Sequence, residues 1–168
     1  MKKTRRKLKT IKKMEKSKLI SEIKKFFKIQ EFVDEPTYKR WGENAWSFLD
    51  DKLLETLLII RRDILKVPMV CNDWCFGGKN SQRGLRSNLS YLVKEKTDNN
   101  VLYLSQHIFG KALDLVSKKM TAEQMRSLIS ANQSKLPYPI RMEAGVNWLH
   151  FDVMCMVNQT DKIYLFKG

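Results

Sequence analysis

The spacing of apolar positions divides the chain into a helical front and a strand-rich back. Leu8, Ile11, Met14, Leu19, Ile20, Ile23, Phe26 and Phe27 recur at mixed three- and four-residue steps, as in a basic helix frayed at its start. Ser47 reads as an N-cap with Asp50 in the first turn, opening a helix to about Leu65. Its apolar set (Phe48, Leu53, Leu54, Leu57, Leu58, Ile64) lies broadly on one face, Arg61 and Arg62 suit its C-terminal end, and Pro68 stops it. Residues 67–72 predict a short strand, and 76–90, with Gly77-Gly78 and Gly84, a loop. Thr121 caps a helix to about Asn132, and Gln124 is placed to complete a capping box. Two further runs, 139–144 and 147–157, flank Gly145 as the arms of a hairpin. The pattern is that of an α+β domain.

Composition narrows this to one reducing-compartment domain. The chain has 168 residues, 43% of them hydrophobic, and no run approaches the roughly 20 apolar residues of a membrane span. Three cysteines are too few, and odd in number, for a disulfide framework. Cys71-x-x-x-Cys75 with Cys155 also misses the usual zinc-finger spacing, which favours free thiols. No apolar h-region follows the basic start, so synthesis in the cytoplasm is expected. A monomer is expected as well.

The net charge of +14 is unevenly placed. Residues 1–28 hold 13 Lys/Arg and two Glu, a net of +11, whereas residues 29–168 are nearly balanced at +3. The basicity therefore reads as an arm, 1–28, on a body, 29–168. Such an arm suits an anionic wall polymer, anionic lipid or nucleic acid, or serves only as a solvated tail. It lacks the aromatic–basic alternation that stacks bases, which counts against nucleic acid as the partner.

The chain's two histidines both stand beside acidic residues in strand-like contexts. In 105–114, Ala112 and Asp114 alternate with Leu113 and Leu115, so a strand puts the carboxylate on the opposite face from the leucines. In 147–153, Trp148, His150 and Asp152 share a face, and Glu143 sits across the turn from it. Two ordinary half-buried histidines are one reading. The other joins His107, Asp114 and His150 into a three-ligand zinc site with an open fourth position, and makes Glu143 its general base.

Ser105-x-His107-x-x-Gly110-x-Ala112-x-Asp114, followed by Trp148-x-His150-x-Asp152, resembles the D-Ala-D-Ala metallopeptidases. These belong to the zinc peptidase group that also holds lysostaphin and the hedgehog signalling domain. The likeness spans about 67–157 and points to a phage-like branch. It implies a central antiparallel sheet bearing one Zn²⁺, with His107, Asp114 and His150 as ligands and Glu143 as the base. Arg86, in Arg83-Gly84-Leu85-Arg86, inherits a role in holding substrate or transition-state charge. Ser105 and Gln106 line the site, Trp148 stands where many relatives carry a histidine, and Asp152 orients a ligand. Asp73-Trp74 and Gly77-Gly78 are expected to form either a loop over the cleft or a turn packed on the core. The implied activity is hydrolysis of peptidoglycan stem peptides by a carboxypeptidase or endopeptidase, as in a phage lysis enzyme (endolysin). Such an enzyme reaches the wall after release or on a virion. The alternatives are a non-catalytic wall-binding or virion protein with a structural zinc, or a nucleic-acid binder acting through the basic arm.

Overall fold

The computed structural model describes residues 15–168; the apolar positions Leu8, Ile11 and Met14 lie outside them. Helix α1 (Lys16–Ile23) buries Leu19 and Ile23, and Phe27 follows them into the same core, its ring 5.2 Å from that of Phe32. Residues of the basic segment from Lys16 onward therefore share the core of the body: the lysines occupy the outer face of a helix whose apolar stripe is core. Burying each of those side chains contributes roughly 1.5–3 kcal/mol.

After α2 (Glu35–Trp41), residues Gly42–Phe48 form a 3-10 turn, so Ser47 does not cap a helix. The cap of α3 (Asp51–Ile59) is Asp50, whose carboxylate accepts from Lys52 N at 2.8 Å and Leu53 N at 3.4 Å. The helix runs on as a π-helical stretch, Ile60–Leu65, and ends at Lys66 in the left-handed region, two residues before Pro68. Residues 67–72 make only one bridge, Val70 to Val116, in place of the expected strand. Helix α4 (Tyr91–Asp98) precedes the first sheet strand, and α5 (Ala122–Ala131) starts at the reciprocal Thr121–Gln124 box. No helix among the described residues is long and apolar enough to cross a membrane.

Four strands, β1 (Ala112–Leu115), β2 (Ile140–Glu143), β3 (Leu149–Asp152) and β4 (Ile163–Phe166), form one sheet in the order β1-β3-β2-β4. The hairpin is present, and β1 pairs antiparallel with its second arm. The sheet is mixed, not antiparallel, because β4 pairs parallel with β2. The excursion over 153–162 brings the chain back to the end of the sheet where β2 starts, so β4 runs in the direction of β2 along its free edge.

Register then sorts the side chains. Leu113, Leu115, Leu149, Phe151, Ile140 and Met142 point into the core with α1, α3 and α5. The alternate positions stand on the other face. Asp114 is opposite His150, and Ala112 and Arg141 both flank Asp152. One step further along the β2–β3 register sets Glu143 opposite His150.

Candidate metal centre

His107 sits in a short turn, Gln106–Phe109, opened by Ser105, whose hydroxyl accepts from His107 N at 3.4 Å. The turn closes at Gly110 with φ of 65°, and a Cβ there would lie 2.1 Å from Phe48 O, so only glycine lets the two backbones meet. Gly84 is held the same way: a Cβ would lie 2.3 Å from Phe32 O. That contact fixes the strip carrying Arg86. Leu85 N donates to Phe32 O, Arg86 N to His107 O, and Asp114 N to Arg83 O. The Arg83 backbone is thus a bracket for β1; its N–H donates to the amide oxygen of fully buried Asn72, whose nitrogen donates to Val33 O.

Three donor groups converge on the polar face of the sheet. One ligand atom each from His107, Asp114 and His150 lies within 4.8 Å of the other two, and all three residues are buried. His107 Nδ1 lies 2.8 Å from Gly84 O; a carbonyl only accepts, so Nδ1 carries the proton. Nε2 then faces Asp114 Oδ2 at 3.3 Å. A lone pair facing a carboxylate is a repulsive pair of acceptors unless a proton or a cation bridges it. Burial, the dominant influence, pushes the His107 pKa down and so disfavours the proton. This donor set therefore fits a metal ion.

The other histidine is gripped from both sides. His150 Nδ1 is 2.7 Å from Asp114 Oδ1, and Nε2 is 3.2 Å from Asp152 Oδ2. Burial works against its proton, but hydrogen bonds to the two carboxylates outweigh burial and lift its pKa to about 9. For Asp114, burial pushes upward, yet its interactions with His107 and His150 hold it well below the usual carboxylate range. Asp152 is likewise lowered, its burial overcome by His150 and by Arg141, which forks onto it at 2.8–3.1 Å. Asp152 is fully buried and orients the His150 ring, leaving Nδ1 on the side of His107 and Asp114.

A cavity of about 360 Å³ opens over these groups. Arg86, Ser105, Gln106, Glu143, Trp148 and Asp152 all line it with the three ligand residues, so every expected site residue is brought to one place. Arg86 is anchored through Nε to Gln82 O, through Nη1 to the Tyr103 hydroxyl and through Nη2 to Asp114 Oδ2 at 3.3 Å. Two of its five N–H groups have no partner among the described residues. A larger groove, about 530 Å³, runs along α5, but its buried Arg126 is already paired with Glu123 and with the carbonyls of Val146 and Trp148.

Three contributors escaped the sequence reading. Arg141 was legible in principle, two positions before Glu143 on the same face of β2. Tyr103 gave no signal, since only its contact with Arg86 marks it. Phe166, whose ring meets that of His150 edge-on at 5.6 Å, belongs to the unexpected strand β4. The loop at 73–78 does not line the cavity: the Trp74 indole donates to Val33 O, and Asp73 binds Asn80, so this loop packs on the segment after α1. The three cysteines are free, and among the described residues no second cluster of potential ligands occurs.

No protein-family model, curated protein or solved structure matches this chain.

Proposed function

We propose that this chain is a zinc-dependent peptidase of peptidoglycan stem peptides. The observation that carries the reading is the buried His107–Asp114–His150 cluster under an open cavity that also holds Glu143. Three protein ligands beside a cavity are the arrangement of catalytic zinc, whereas structural zinc is normally closed by four. The resemblance of the two histidine motifs to the D-Ala-D-Ala metallopeptidases supplies the substrate class.

When bound, zinc supplies Lewis acidity, polarising a carbonyl and making water easier to deprotonate. His107 would hold it through Nε2, with Nδ1–H kept on Gly84 O, and His150 through Nδ1 once that nitrogen gives up its proton, with Nε2–H kept on Asp152. The carboxylate of Glu143 takes the proton from the attacking water and returns it to the leaving amine. The remaining N–H groups of Arg86 stabilise charge developing on the carbonyl oxygen. Phe166 and Trp148 wall the cavity and limit bulk water. The basic N-terminal segment favours residence near an anionic wall, where the substrate is.

The test is zinc content with muropeptide cleavage, before and after chelation. One zinc per chain and chelator-sensitive cleavage support the reading; a folded protein that takes up no zinc sinks it. Glu143→Gln should keep the zinc and lose about 10²–10⁴ in rate. If Glu143→Gln keeps zinc and full activity, the cluster is structural.

A further inference from the structure

The segment 101–105, Val-Leu-Tyr-Leu-Ser, lies outside any helix or strand, between α4 and the His107 turn. Asn100, at φ 57°, ends α4 and redirects the chain, with Val101 N returning to Lys96 O at 2.8 Å. At its far end Ser105 is extended (φ −65°, ψ 140°) and caps the His107 turn, and midway the Tyr103 hydroxyl is held by Arg86. From 102 onward, exposure alternates with period two. Leu102 and Leu104 are 82% and 64% exposed, while Tyr103 and Ser105 are half-buried, and Tyr103, Leu104 and Ser105 line the cavity. Yet among the described residues no N–H or C=O of Leu102, Tyr103 or Leu104 has a hydrogen-bond partner. The segment is thus anchored at both ends and in the middle, and its backbone is unpaired at the rim of the site.

We infer that residues 102–104 bind the substrate peptide by strand addition, pairing its backbone amides and delivering the scissile carbonyl to the His107–Asp114–His150 cluster. This rests on the peptidase reading and adds how the peptide is held. Strand addition takes its affinity from main-chain hydrogen bonds and its selectivity from pockets for alternate side chains. Here a long side chain on the peptide's site-facing side would meet Arg86 and Tyr103. The edge therefore suits an extended peptide with small apolar residues, such as the alanines of a stem peptide. An open edge also risks pairing with a second copy. Anchoring by the Arg86–Tyr103 contact, which ties the edge to the metal ligand Asp114, favours the substrate as its occupant.

The experiment is backbone amide hydrogen exchange on the zinc-loaded full chain carrying Glu143→Gln, with and without saturating L-Ala–D-Glu–L-Lys–D-Ala–D-Ala. Expected is slowing of the Leu102 and Leu104 amides, which face the same side of an extended segment, about tenfold or more, the protection one added hydrogen bond gives. A peptide N-methylated beside the scissile bond should not protect them. With the active chain, Leu104→Pro should raise KM about tenfold above that of Leu104→Ser, which keeps the N–H, at little cost in kcat. If Leu104→Pro fails to fold, the exchange measurement decides. Cleavage of the pentapeptide with exchange at 102–104 unchanged overturns the inference and leaves the peptidase reading standing. Protection in the peptide-free protein that grows with protein concentration overturns it in favour of self-pairing. A zinc-loaded chain that neither binds nor cleaves the peptide overturns both.

Discussion

Arg141 and Asp152 show how much of this site depends on residues that touch no metal. Asp152 is fully buried, and without the guanidinium fork its charge has only His150 and one backbone N–H for partners. Arg141→Met should therefore weaken zinc binding about 10–100-fold, the usual loss when a ligand's supporting partner is removed; unchanged affinity in a chelator competition would show that Arg141 does not orient His150. Glu31 gives a pH prediction away from the metal. It is 4% exposed, its carboxylate accepts from Lys28 N at 3.0 Å, and burial raises its pKa above the ordinary 4.5. A raised folded pKa means stability present below the ordinary value and lost as pH rises through the folded one. At neutral pH the buried charge is a cost. Glu31→Gln keeps an acceptor for Lys28 N–H and should raise Tm at pH 7, with the advantage vanishing below about pH 4.5. A lower Tm at pH 7 would contradict this.

At the scale of elements, α1 ties the basic segment to the core. Ile23→Ala should cost about 2–5 kcal/mol in denaturant unfolding, as for a buried aliphatic residue; a loss under 0.5 kcal/mol, the range of surface substitutions, would return α1 to the arm. The Gly84 strip is the second test. With a Cβ forced to within 2.3 Å of backbone, Gly84→Ala should lower both stability and zinc occupancy, because Gly84 O anchors His107 and Arg86 follows two residues later. Elements with strong local signals were legible: the Thr121–Gln124 box, the hairpin about Gly145 and the alternation at 112–115. What was not legible depended on distant partners. Asp50 and Ser47 are both good caps, and choosing between them takes the pairing of Asp50 N with Gly110 O. Strand β4 has four residues, and its Tyr164 and Leu165 are exposed, so it carries no amphipathic pattern.

Across the whole molecule, the two faces of one small sheet divide the labour. The inner face closes the core with α1, α3 and α5, and the outer face carries His150, two aspartates, Arg141 and Glu143 in register, with His107 brought to them from the turn before β1. Motif spacing found residues that cluster and could hold a metal ion because His107 lies one turn before β1 and Asp114 is on it. It could not find Tyr103 or Phe166, which reach the cavity only through the path of α4 and the parallel return of β4. The measurement that tests the central claim most directly is cleavage of a defined muropeptide, followed by mass spectrometry, for the zinc-loaded, chelated and zinc-restored protein. The account predicts products with zinc, none after chelation and their return when zinc is restored. Undiminished products from the chelated protein, or none from a folded protein holding one zinc per chain, would contradict it.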